Sequence, residues 1–256
     1  MSLSNKEGAI AFLSTLYKVD WAKHHLGLLD SEVEKFYLSS PYTIGTYDDV
    51  RKDEYWIFLE TKPMPKEIGL IAGDFVSCLR ASLDHLATAL TMAEGGVPND
   101  HASFPVIGVN NSESRRSFNK SVAGIPEAAV KIIDSFQPYQ NSNGYITTTL
   151  WKLNRLWNIE KHRRIPVDTI STEFKIHCPP DVPFRVFQTA ERQRSVRFSR
   201  GSKEKVYLEC DPANVIKLGD ENEGIIVLHT ELREMYLYVK TNILPAFKFF
   251  FLRDPS

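Results

Sequence analysis

Apolar positions recur every three or four residues along the first part of the chain. Ile10, Leu13, Leu16 and Tyr17 continue into Leu26, Leu29, Val33 and Phe36, which predicts a helix over 5–38. Ser39, Ser40 and Pro41 stop it. Two runs with strand character follow, TIGTY at 43–47 and EYWIFLETK at 54–62, and the polar DDVRKD between them predicts a hairpin. A second helix is expected from Lys66 to Glu94. Its stripe is Ile68, Ala72, Phe75, Leu79, Leu83, Leu86 and Leu90, and Gly95 and Gly96 close it. The stretch from Val97 to Ser117, rich in Gly, Asn, Ser and Pro, reads as a long loop. A short helix over Pro126 to Phe136, a turn over Gln137 to Gly144 and a helix over Tyr145 to Arg164 complete this half.

From Ser171 to Leu228 the texture changes to short strand-like runs, FKIHC, FRVF, SVRFS, KVYLEC and GIIVLH, separated by polar or proline-containing turns. A last helix from Glu231 to about Leu252 uses Leu232, Met235, Val239, Ile243, Ala246 and Phe250, with a bend at Pro245. The order predicts an α+β fold in one domain over 1–256. A helical bundle from 5–38, 64–166 and 229–252 would carry the hairpin at 43–62 and the strands at 171–228, joined in one antiparallel sheet.

Composition narrows the function classes. With 31 Lys and Arg against 32 Asp and Glu, the net charge of -1 gives no global attraction to nucleic acid or an acidic membrane. Three separated cysteines, Cys78, Cys178 and Cys210, include no C-x-x-C, so reduced thiols in a cytoplasmic protein are expected. The N-terminus has no continuous apolar region of the signal-peptide kind. The most apolar run, AFKFFFL at 246–252, is far short of the roughly 20 residues a spanning helix needs, so it is expected to be a buried helix end.

Candidate chemistry lies in two polar knots within apolar helices. The first holds Asp74, Arg80, Asp84 and His85; the second is Asn158 to Arg164, NIEKHRR. At about 100° per residue, Arg80 and Asp84 share a face, whereas Arg80 and His85 are about 140° apart. Arg80 and Asp84 read either as an i,i+4 ion pair or as an anion-stabilising arginine with its partner, and His85 as a boundary histidine or a general acid/base. Asn154, Asn158 and His162 fall at i, i+4 and i+8, so the second knot is either a solvated basic helix end or a line of groups reaching toward Asp84 and His85. A metal would draw on Asp84, His85, Glu160 and His162. No H-x-x-x-H or E-x-x-H spacing occurs, and no metal or other cofactor is expected. Standard nucleotide loops and the G-x-S-x-G elbow are absent. A local basic cluster, Arg185, Arg192, Arg194, Arg197, Arg200, Lys203 and Lys205, reads as a charged edge hairpin or as a phosphate-contacting surface.

The segments GDFVSCLRASLDHLATAL, FPV at 104–106, SFQPYQ and LNRLWNIEKHRRI, in that order, resemble an uncharacterised bacterial family with LRSxLDHL and NI(D/E)KHR helices. The resemblance covers roughly 68–165. The sequence departs from it at Ser77-Cys78, where members tend to have His-Asn, and at Glu160, where Asp is common. It implies a shared fold and names no reaction. Arg80-Ala-Ser-Leu-Asp-His85 is also similar to the R-x4–6-H signature of HEPN-type helical bundles, although Ala81 stands where a polar residue is usual. That similarity implies a metal-independent endoribonuclease of the defence or toxin kind, working as a homodimer on RNA. Its site would use Arg80, His85 and Asp84, with Asn158, Lys161, His162 and Arg163 toward the substrate. Beside it stands a second reading, a non-catalytic helical module that binds a small anionic ligand or a protein and whose polar knots are structural.

Overall fold

The computed structural model describes residues 3–169, 174–190, 193–210, 216–220 and 225–252. It is an α+β protein with a four-stranded antiparallel sheet and two small sheets. The chain divides into two compact units. One comprises Met1–Leu29, Gly69–Pro166 and Leu218–Ser256, the other Asp30–Ile68 and Val167–Lys217.

Helix α1 (Leu3–Leu38) buries Phe12, Thr15, Val19, Ala22, Leu26, Leu29, Val33 and Phe36. The sequence reading of its core face is corrected in the first half, where Ile10, Leu13 and Tyr17 lie on the opposite face and are exposed, along with Trp21 and Leu28. Both faces have helical periodicity, and the inward one uses small Thr15 and Ala22, which hydrophobic counting undervalues. Those small residues allow close approach. A Cβ on Gly8 would stand 2.5 Å from the Ala93 Cα, so backbones meet where α1 passes the end of α2 (Lys66–Ala93). The predicted α2 stripe is fully buried along its length. Gly95, at φ 81°, donates to the Met92 carbonyl and Gly96 to that of Thr91, which ends the helix.

The expected loop from Val97 to Ser117 ends early, because α3 (Ser112–Ser121) begins inside it. A reciprocal cap starts this helix: Asn111 accepts the Ser114 N–H, and Ser114 Oγ accepts the Asn111 N–H. Its single buried side chain, Phe118, gave hydrophobic periodicity nothing to detect. Helix α4 (Glu127–Ser135) follows, and α5 (Thr149–Glu160) starts on a Thr148 cap. Helix α5 stops four residues short of the expected Arg164. Lys161 to Arg163 form a turn, and Pro166 feeds strand β3 (Val167–Thr169), so the chain must leave the helical region there.

Strands β8 (Ile216–Asp220) and β9 (Ile225–Leu228) are neighbours in a small sheet, and β9 leads into α6 (His229–Tyr238). Instead of one bent helix, a wide π turn over Val239–Ile243 separates α6 from α7 (Leu244–Phe247). Pro245 has no N–H to continue the ladder, and the preceding turn widens where that bond is missing. Phe247, Phe250 and Phe251 are buried, with Phe251 stacked on Phe12 at 4.3 Å, so the apolar run is mainly buried.

In the other unit, β1 (Tyr42–Asp49) and β2 (Glu54–Thr61) form the predicted hairpin. β2 pairs with β6 (Gln193–Ser199), and β6 with β5 (Phe184–Ala190), giving the order β1-β2-β6-β5. Of the later strands only β5 and β6 join the hairpin. Strands β4 (Phe174–His177) and β7 (Tyr207–Cys210) pair separately. With β8 and β9 in another small sheet, this corrects the single sheet expected from the sequence. Tyr55, Ile57, Val182, Val196, Phe198 and Val206 form the core. Strand β6 is interior, but β5, which carries Arg185, is the outermost strand of the sheet, so the basic segment lies on an edge hairpin, as the first of its two readings had it. Arg197 pairs with Glu54 at 2.7 Å, and Arg200 and Lys203 pair with Asp48 at 2.7 and 3.0 Å. These pairs also take charge away from the expected phosphate surface. Arg192 lies outside the described residues. No described helix is long and apolar enough to cross a membrane.

Candidate functional site

Helices α2 and α5 run side by side in opposite directions. The Glu160 carboxylate fills the space a Cβ on Gly73 would need, 2.2 Å from it. Seven residues further along α2, Arg80 Nε donates to Asn154 Oδ1 at 3.3 Å, six residues back along α5.

This register makes Arg80 the hub of the helical unit. Its side chain is only 5% exposed. Nη1 donates to Asp84 Oδ1 at 2.5 Å, Nη2 to the Phe104 carbonyl at 2.8 Å, and the guanidinium lies 4.8 Å from the centre of the Trp157 ring. Asp84 Oδ1 also accepts the Phe104 N–H at 2.9 Å. One ion pair thus holds both backbone groups of Phe104. The Arg-before-Asp order, weak on an exposed helix, gains from burial and from the added bonds.

Gln137 serves the next residues in the same way. Its amide donates to the Pro105 carbonyl at 2.9 Å and accepts the Ile107 N–H at 2.8 Å, while the Tyr139 N–H donates to the Ile107 carbonyl at 3.2 Å. Gln137 is 2% exposed and donates further to the Ile133 carbonyl at 3.0 Å. Sequence reasoning did not single it out; its position in SFQPYQ was the sole signal.

Between this segment and α3 lies a cleft of about 490 Å³. Buried Arg80 is at its base, Val106 and Gly108 line one wall, and Ser114, Ser117 and Ser121 line the other. The walls are tied at both ends. Ser114 Oγ donates to the Val109 carbonyl at 2.5 Å, and the Ser103 N–H donates to the Ser121 carbonyl at 3.4 Å. Arg115 holds α3 from outside by pairing with Asp134 and donating to the Tyr139 hydroxyl. Burial works against the Asp134 charge, yet the Arg115 and Tyr139 hydrogen bonds keep its carboxyl below the usual range.

The remaining expected site residues are not gathered here. Asp84 contacts Arg80 and Phe104, not Asn158, Lys161 or His162. His85 is half-buried and has no hydrogen-bond partner among the described residues. Lys161 places Nζ 3.3 Å from the centre of the Trp157 ring, and His162 and Arg163 are exposed in the turn after α5. The antiparallel register explains the separation. Asn158 to Arg163 lie toward the Gly73 end of α2, whereas Asp84 and His85 lie past Arg80 in the other direction.

What the second knot does meet is Asp74. His25 Nδ1, from α1, is 3.9 Å from Asp74 Oδ2. His25 Nδ1 and Glu160 Oε2 are buried without a hydrogen-bond partner. Burial, reinforced by Asp74, raises the Glu160 carboxyl above its ordinary value. Burial lowers the His25 imidazole, with Asp74 opposing. Burial also pushes the Cys78 thiol up, away from nucleophilic character. Among the described residues no group of three or more His, Cys, Asp or Glu is placed to hold a metal ion.

No protein-family model matches the chain, and neither a curated protein nor a solved structure shows a significant likeness to it.

Proposed function

We propose that the protein is a non-catalytic binding module whose site is the cleft between residues 103–109 and α3, with the Arg80–Asp84 network as its floor. The observation that carries this reading is the employment of Arg80. Its guanidinium is spent on Asp84, Asn154, the Phe104 carbonyl and the Trp157 ring. A nuclease arginine would need that charge for a phosphate, but Asp84 already meets it. The only other charged lining residue is Glu113, so the cleft offers a polyanion no net attraction. Among the described residues no group hydrogen-bonds His85 to fix its tautomer, which favours a boundary role over acid/base work. Backbone amides, carbonyls and serine hydroxyls are suited to a small, uncharged polar ligand.

The test is a screen of amide- and hydroxyl-bearing fragments followed by amide NMR shifts. Shifts centred on Val106, Gly108, Ser114 and Ser117, lost when Ser117→Trp fills the cleft, are the expected result. Fragments that bind elsewhere, or RNA cleavage by the wild type that His85→Ala abolishes, would overturn the proposal.

A further inference from the structure

The segment from Phe104 to Gly108 is bonded as a strand is bonded, without belonging to a sheet. In an extended chain the N–H and C=O of one residue point to the same side, and successive residues alternate. Pro105 and Ile107 use one side: the Pro105 carbonyl, the Ile107 N–H and the Ile107 carbonyl all go to Gln137 and Tyr139. Phe104 uses the other, where Asp84 accepts its N–H and Arg80 donates to its carbonyl. Two side-chain clamps therefore take the places of neighbouring strands. Pro105 also restricts Phe104 to extended geometry.

Alternation puts Val106 and Gly108 on the Phe104 side, facing the cleft that Arg80 floors. Their N–H and C=O groups have no hydrogen-bond partner among the described residues. An unpaired edge of this kind is a template for another backbone. Gly108 suits that approach. It leaves the edge bare, and a Cβ there would come 2.7 Å from the Tyr145 ring. The neighbouring rung at Phe104 is filled by the Arg80–Asp84 clamp, and at the other end the chain bends at Gly108 and Val109, where Ser114 takes the Val109 carbonyl.

We infer that the ligand of this cleft is a short extended segment of a partner polypeptide, pairing main chain to main chain with Val106 and Gly108. This inference rests on the cleft being the binding site. Val106 offers a donor and an acceptor and Gly108 a further donor, the complement of a peptide unit and not of a phosphate. The ends tied by Ser103–Ser121 and Ser114–Val109 limit the ladder to two rungs, about three residues of partner. Serines on the opposite wall leave room for small side chains. Glu113, the one lining charge without a counter-charge in the cleft, favours a neutral or basic segment over an acidic one.

The probe is a pool of capped hexapeptides built from Ala, Ser, Thr, Val and Lys, selected against the full chain. The best binder is then N-methylated one residue at a time. The expected pattern is alternation: methylation weakens binding at least tenfold at one residue or at two residues spaced i, i+2, and has little effect between them. Binding should slow hydrogen exchange at the Val106 and Gly108 amides, fall when Lys in the peptide is replaced by Glu, and vanish in Ser117→Trp. Uniform sensitivity or insensitivity to N-methylation overturns the ladder. Amides at 106 and 108 that are protected in the protein alone, and lose protection on dilution, would make the occupant a second copy and overturn the partner assignment. If fragments bind the cleft but no peptide binds below about 1 mM, the ladder fails and the binding module stands. If neither binds, both fail.

Discussion

Arg80 and Asp84, one turn apart on α2, act together on a residue outside their helix: Nη2 of one and Oδ1 of the other take the carbonyl and the amide of Phe104. The pair therefore fixes the position of the segment that begins the cleft wall, in addition to neutralising itself. Removing one partner leaves the other without compensation in a site where Arg80 is almost fully enclosed.

Asp84→Ala should accordingly cost about 3 kcal/mol in urea denaturation, because it strands the Arg80 charge and the Phe104 N–H. His85→Ala, one residue away but with no hydrogen-bond partner among the described residues, should cost less than about 1 kcal/mol. Equal losses would mean that the network is not what stabilises this part of α2.

Gln137→Met keeps the volume and removes three hydrogen bonds to buried backbone. The expected loss is about 2–3 kcal/mol, from the unsatisfied Pro105 carbonyl and Ile107 amide. Hydrogen exchange of the Ile107 amide should accelerate well beyond that of α1 amides, which reports local release of the segment and not general loosening.

The His25, Asp74 and Glu160 group predicts a pH dependence. Glu160 has its native value raised by burial and by Asp74. The folded state therefore holds the proton after the unfolded state has released it, and stability falls as pH rises from 4.5 through the native value. His25 is lowered, chiefly by burial, so stability is lost as pH falls from 6.5 through its native value. Glu160→Gln should thus stabilise the protein at about pH 7 and do little at about pH 3.5. The urea midpoint at both pH values checks this, and an equal gain at both would contradict it.

Gly8→Ala would improve helix propensity on an isolated helix, but here the new methyl meets the Ala93 backbone. A net loss of about 1–3 kcal/mol is expected from overpacking. A thermal melt showing stabilisation would mean that α1 and the end of α2 do not approach this closely in solution.

Much of this architecture was legible because it is written in local periodicity. The α2 stripe and the strands of the hairpin follow from repeats of 3.6 and 2. The misses have local causes too. Helix α3 has one buried apolar residue and is held by its cap and by Arg115. The inward face of α1 runs through Thr15 and Ala22, while an equally periodic apolar face is left outside.

For the site, the sequence by itself put Arg80 and Asp84 on one helical face. It also identified the two helices that carry the polar knots. Which residues meet was decided by the antiparallel register of α2 and α5, which sets Arg80 against Asn154 and Gly73 against Glu160, and leaves His85 far from Lys161 to Arg163. Only the tertiary structure could disclose Gln137, or the open edge at Val106 and Gly108. A helix's own geometry fixes angles within it, whereas the pairing of a side chain with a backbone group 24 to 32 residues away depends on how separate elements pack.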